Sequence, residues 1–336
     1  MPTNAPIFIG GPDRCGKTLV AAILASHPRI AISPVGSNLW PFFYRRFGDL
    51  RDDRNLERCI AAMVRYKHVA FLQPDVDRLR EEMRSGERTY PRLFALVHEQ
   101  YAHREGKARW GDQTGLVERW ADEIFASYPG VRMIHMLRDP RDRYHASLEM
   151  WPSGRLRAGG ATARWRLSAE LAMRNERKHG DRYRVLQYET LVRQPERTVR
   201  ELCEFLDEEF VPSMLGLGAM PGVRSKMQAG LATIKPEAAG EAGHGSAIIS
   251  PAFIGTYRGR IRADEQAFLE RHSRRWMEWL GYGPEHGSRA VRRTPGYWLR
   301  TEPANVVRML GWRWREAAAY RAPRWLGRRI RPGMLR

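Results

Sequence analysis

A glycine-rich octet constrains this chain more than any other feature: Gly11-Pro12-Asp13-Arg14-Cys15-Gly16-Lys17-Thr18 has the spacing G-x-x-x-x-G-K-[ST]. It follows the apolar stretch Pro6-Ile7-Phe8-Ile9-Gly10 and leads into a run, Thr18 to Ser26, that reads as a helix. Strand, loop and helix in that order turn backbone N–H groups and the positive helix end toward one point. An anion is stabilised there, and Arg14 and Lys17 add charge, so phosphate binding is the first expectation. Ile30-Ala31-Ile32 supplies a second short strand. Residues 6–35 thus form a βαβ start, which predicts an α/β fold, a three-layer sandwich with a central parallel sheet.

The 336 residues, 43% of them hydrophobic, suffice for one large domain with an appendage. Fifty-seven Lys and Arg against thirty-eight Asp and Glu give a formal net charge of +19. That excess points to an acidic partner, such as a nucleotide, an anionic lipid surface, a sulfated or phosphorylated product or nucleic acid, unless the whole proteome is arginine-rich. Nucleic acid has no recognisable motif here and would bind non-specifically. Cys15, Cys59 and Cys203 lack the spacing of a disulfide framework or zinc site. With neither a signal-like start nor a run long enough to span a bilayer, the expected location is cytoplasmic.

Residues 35–108 read as a charged helical insertion carrying scattered aromatics, expected on the acceptor side. Val131 to Leu137 is a buried strand pattern, with Asp139-Pro140 as cap and first turn of the next helix. Tyr183 to Tyr188 reads as a further strand, Arg193 to Leu206 as an amphipathic helix, and Ala263 to Leu280 as another that stops at Gly281. The Gly-, Ala- and Ser-rich stretch 216–250 is expected to be a mobile loop. The division is a domain over 1–283 and a basic extension over 284–336.

Arg138 stands at the end of the 131–137 strand, where open α/β sheets place their ligands, and Ser147 lies nine residues on. An arginine there can fork onto a phosphate and the serine can donate to it, although a capped helix with solvated charges has the same pattern. With these residues the chain resembles the sulfotransferases that use 3′-phosphoadenosine-5′-phosphosulfate (PAPS). Arg14-Cys15-Gly16-Lys17-Thr18-Leu19 is similar to their R-S-G-T-T-L loop, and Arg138 with Ser147 matches their 3′-phosphate element. Trp110 to Gly115 resembles the W-G-D-K-T-P of bacterial and tyrosylprotein-like members; Tyr188 to Glu196 resembles Y-E-D-L-x-x-x-P-E. Ile254 to Arg258 and Leu280-Gly281-Tyr282 resemble the late I-G-R-W-R and L-G-Y segments. The resemblance covers about 6–283.

It implies transfer of a sulfuryl group from PAPS to a hydroxyl, less readily an amine, of a small-molecule, carbohydrate or lipid-linked acceptor, with no metal. By the same resemblance Arg14, Cys15, Gly16, Lys17 and Thr18 would hold the 5′-phosphosulfate. Arg138, Ser147 and Arg258 would hold the 3′-phosphate, and Tyr188 would lie near adenine. Lys17 and Arg14 would stabilise developing charge. Three departures stand out: Lys17 and Cys15 replace loop hydroxyl residues, and Gln113 replaces a lysine. No carboxylate occurs around Val35 to Asn38, where tyrosylprotein-type members carry a base. Asp112 and His98, then His103 and His145, are the candidates for that role. The competing readings are a P-loop kinase or NTPase, which would need an acidic residue at a neighbouring strand end for Mg²⁺, and a non-catalytic nucleotide- or surface-binding relative.

The segment after Gly283 holds thirteen arginines against three glutamates. Val306, Leu310, Trp314 and Ala317 are expected on one helical face, either packed on the domain or laid on an anionic inner membrane face.

Overall fold

The computed structural model describes residues 4–150, 157–216 and 249–321. Five strands, β1 (Ile7–Gly10), β2 (Ile30–Ile32), β3 (Arg109–Gln113), β4 (Arg132–Leu137) and β5 (Tyr183–Gln187), form one sheet in the order β2-β3-β1-β4-β5. Every pairing is parallel. β1 is central, with Ile7 in register with Gly111 on one side and Arg132 on the other. Helices cover both faces, as a parallel sheet requires, and the alternation of side chains along β1 shows it. Phe8 enters a core with Trp40, Phe94 and Trp110, whereas Ile7 and Ile9 pack with Val20, Ile23, Leu24, Val199 and Leu202. The expected three-layer α/β fold is therefore present.

β3 corrects the sequence reading, which placed no strand there. Its Arg-Trp-Gly-Asp-Gln composition is poor in strand formers, yet it pairs along both edges. Gly111 permits this, because a Cβ would press on Ile32 and the Ile7 carbonyl oxygen, both at 2.9 Å. Other boundaries shift little: helices run Lys17–Ala25, Pro195–Phe205 and Ala263–Trp279, and Tyr188 begins the short helix Tyr188–Arg193 rather than ending β5. Most of the expected mobile loop, 217–248, lies outside the described residues.

The insertion folds as helices Leu39–Phe43, Asp53–Arg65, Lys67–Phe71, Val76–Ser85 and Tyr90–Arg104. Asp52, Asp75 and Thr89 cap three of them through side chains that accept backbone N–H bonds. Its aromatics mostly build core: Trp40 meets Phe94 edge-on at 5.6 Å, and Phe43 meets Tyr66 at 5.8 Å. A cavity of about 820 Å³ bordered by Tyr44, Arg88, Trp110 and Tyr128 opens at the amino ends of the strands, away from the glycine loop.

The final helix, Glu302–Arg321, packs along Ala158–His179. Arg313 pairs with Glu170 at 2.6 Å and Glu316 with Arg119 at 2.9 Å. The backbones touch at Gly159, whose N–H donates to Asn305 Oδ1 (3.0 Å) and where a Cβ would collide with the Asn305 carbonyl oxygen. Gly159→Ala should cost about 1–3 kcal/mol through overpacking. Helix propensity acts the other way, favouring alanine by up to about 1 kcal/mol. A net loss in urea denaturation, with faster protease cleavage near residue 296, checks the contact; unchanged stability contradicts it.

Candidate active site

The glycine loop leaves β1 at the centre of the sheet with backbone that glycine makes possible. Gly11 has φ 117°, and a Cβ there would run into the Met136 carbonyl oxygen. Gly16 has φ 91° and sits against the Tyr188 ring, 2.8 Å from where its Cβ would be. Gly16 then caps the helix Lys17–Ala25, whose first N–H groups point into the loop. Lys17 folds back and donates from Nζ to the Pro12 carbonyl oxygen at 2.5 Å. Burial lowers its ammonium pKa from the ordinary value, partly offset by Cys15 and Asp13.

Asp13 seats the loop. Both its oxygens accept from Arg143 Nη2 at 2.7 Å, and Arg164 Nε approaches Oδ1 at 2.6 Å. Burial alone would raise its pKa, but Arg143 and Arg164, with Lys17, outweigh it and keep the carboxyl well below the usual carboxylate range. Cys15 is buried, and burial pushes its thiol up to about 12, which keeps it protonated.

Arg14 and Arg138 converge beside the loop. Arg138 donates to the carbonyl oxygens of Arg14 (3.3 Å) and Phe253 (2.5 Å), and its guanidinium lies 4.5 Å over the Tyr188 ring. Arg14, at φ 62°, has its pKa lowered by burial and then by the like charge of Arg138. Each arginine also keeps a buried Nε with no acceptor among the described residues. Two neighbouring cations with buried, unpartnered donors make a place where an anion would be stabilised.

The sequence-predicted residues divide accordingly. Arg14, Gly16, Lys17, Arg138 and Tyr188 come together, with Thr18 half-buried on the first turn. Ser147 is buried on the helix Pro140–Met150 and donates to the Tyr144 carbonyl oxygen at 2.7 Å. Arg258 is exposed and turned toward Glu285, 3.0 Å away, although its neighbours reach the site: Asp142 accepts from Gly255 N–H, Thr256 Oγ1 and Tyr257 N–H. Asp112 is buried and accepts from Ser37 N–H (3.0 Å), Ser37 Oγ (2.8 Å) and Thr114 Oγ1 (3.0 Å). His98 is buried with its ring stacked on Trp110 at 4.9 Å, and burial lowers its pKa.

Sequence reasoning missed Glu118, which lies directly beneath the loop. It is fully buried in the turn Val117–Trp120; its Oε2 accepts the Gly11 N–H at 2.9 Å and its Oε1 accepts from Ser168 Oγ at 2.6 Å. His135 continues the chain, with Nε2 2.7 Å from Ser168 Oγ and Nδ1 2.5 Å from Tyr183 OH. Asn175 closes it by donating to the Glu118 carbonyl oxygen at 2.9 Å and to Tyr183 OH at 3.4 Å. Since the Ser168 hydroxyl donates to Glu118, the network assigns the proton to His135 Nε2 and the Tyr183 proton toward Nδ1. That is a neutral imidazole, and burial lowers its pKa accordingly.

The sequence profile of the sulfotransferase family matches residues 6–212. The chain belongs to the sulfotransferase family. Among solved structures, this sulfotransferase is similar to the sulfotransferase domain from the Synechococcus PCC 7002 olefin synthase, with TM-score 0.56 and 20% identity over 84% of this chain and 97% of that one. The sulfotransferase domain from the curacin biosynthetic pathway is comparable, with TM-score 0.56 and 17% identity over 85% of this chain and 100% of that one. At these identities the likeness speaks to the fold. No curated protein sequence matches significantly.

Proposed function

We propose that this sulfotransferase moves a sulfuryl group from PAPS to a hydroxyl of a small-molecule, carbohydrate or lipid-linked acceptor. The observation that carries the donor assignment is the pair Arg14 and Arg138, cationic neighbours each with a buried Nε and no acceptor among the described residues. A ligand with phosphate groups at two ends satisfies both that pair and the glycine loop. The loop N–H groups, Lys17 and Thr18 would take the 5′-phosphosulfate, with Cys15 and Gly16 shaping the turn and Arg14 beside it. Arg138 and Ser147 would take the 3′-phosphate, the Ser147 hydroxyl exchanging its bond to Tyr144 for one to the ligand. Tyr188, already holding Arg138 over its ring, would present its edge to adenine, and Arg258 would join on leaving Glu285. PAPS supplies an activated sulfuryl group with a phosphate as leaving group. The residues then contribute by orientation and by neutralising that phosphate.

A metal-bound ATP fits less well. Of the acidic residues at the carboxyl ends of the strands flanking β1, Asp112 is committed to Ser37 and Thr114, and Asp139 is held bidentately by Arg141 at 2.7–3.3 Å.

The test is a sulfur-radiolabelled PAPS assay on extract of the native host. Label is expected to move into an acceptor while 3′,5′-adenosine bisphosphate accumulates in equal amount. Nucleotide release without a labelled acceptor, or no turnover, contradicts the reading.

A further inference from the structure

We propose that the outer face of the final helix docks on an anionic phospholipid membrane surface. The helix has two apolar faces. Met309 and Trp312 are buried, with Val306 partly so, in the cluster that joins the helix to Tyr257, Phe268 and Tyr297. Val307 (68% exposed), Leu310 (58%) and Trp314 (73%) form the other, and Leu299 (77%) is exposed just before the helix, in the turn Tyr297–Thr301. Helical spacing puts Val307, Leu310 and Trp314 along one side. The expected face of Val306, Leu310, Trp314 and Ala317 is therefore divided: Val306 turns to the domain, Leu310 and Trp314 to the outside.

The charge beside this stripe decides what it suits. From His286 to Arg321 there are eight arginines and two glutamates. Both glutamates are engaged on the domain side, Glu302 with Tyr297 and His272, Glu316 with Arg119. Arg289, Arg293, Arg300, Arg308 and Arg315 are exposed. Fifteen further residues, 322–336, add five arginines and one tryptophan with no acidic residue. An exposed aliphatic and tryptophan stripe bordered by cations matches a surface with a negative headgroup layer over an apolar layer. Nucleic acid would use the cations but gain nothing from Leu299, Val307 and Leu310. Because the inner face is already packed, docking requires no unfolding, and it stands independently of the donor assignment.

Flotation with vesicles tests it on the full chain, without any activity readout. Wild type should float with vesicles of phosphatidylglycerol and phosphatidylcholine, and at least about tenfold less with phosphatidylcholine alone. Leu310→Ser with Trp314→Ser should reduce flotation by a similar factor while the melting temperature stays unchanged, both side chains being exposed. On binding, tryptophan fluorescence should shift to the blue in wild type. Failure of wild type to float at low salt overturns the proposal, as does undiminished flotation of the double variant, which would assign binding to charge alone. Light scattering that shows a dimer abolished by the double variant, with no flotation, would give the face to a second copy of the chain and equally overturn it.

Discussion

Arg138→Ala is expected to weaken binding of 3′,5′-adenosine bisphosphate by about 10- to 100-fold, the worth of one charge-assisted hydrogen-bonded contact at a desolvated site. Binding of 5′-AMP, which lacks the 3′-phosphate, should change by less than about threefold. The comparison matters because Arg138 also holds the carbonyl oxygens of Arg14 and Phe253 and the Tyr188 ring. If it were a structural strut alone, both nucleotides would lose equally. Arg138→Lys should recover part of the loss, since an ammonium keeps the charge but cannot fork onto two oxygens. Equal losses for the two nucleotides, measured by titration calorimetry, would remove Arg138 from the 3′-phosphate.

Glu118→Ala should destabilise the fold by about 3–5 kcal/mol, the cost of leaving two buried donors without an acceptor together with the cavity left behind. It strands the Gly11 N–H and the Ser168 hydroxyl together. Glu118→Gln keeps the volume but turns one acceptor into a donor, so roughly half that loss is expected. Urea denaturation checks both; a loss under about 1 kcal/mol for the alanine variant contradicts the network's role. The same network makes stability sensitive to acid. His135 has a folded-state pKa lowered from its ordinary 6.5, with burial as the main cause. The unfolded chain therefore binds a proton where the folded one does not, and this contribution is complete above about 6.5 and lost as pH falls below it. His98, buried likewise, adds the same sign. The fall in stability from about pH 7.5 to 5.5 should be smaller in His135→Gln than in wild type.

What the sequence conveyed was what chemistry writes locally. The glycine octet, β1 and the strand ending at Arg138 follow from periodicity and turn residues, and the 9-residue interval to Ser147 places both on one strand-to-helix junction. β3 was hidden because Gly111 and Asp112 are poor strand formers, and the strand exists through pairing with β1 and β2. Glu118 was hidden for a related reason. In Val-Glu-Arg-Trp it looks like a surface charge, and only its bond to Gly11, 107 residues earlier, reveals a buried support. Lys17 showed its charge but not its fold back onto Pro12. The tail showed its apolar residues but not how they divide, since which side packs depends on where Gly159 lets Asn305 approach.

On the proposed function, the glycine loop with Arg138 recognises a 3′-phosphorylated adenine nucleotide. Titration calorimetry of the wild-type chain with 3′,5′-adenosine bisphosphate and with ATP in the presence of Mg²⁺ addresses it directly. 3′,5′-Adenosine bisphosphate is expected to bind at least about tenfold tighter, a difference of about 1.4 kcal/mol, whether or not Mg²⁺ is present. Tighter binding of Mg-ATP would contradict it.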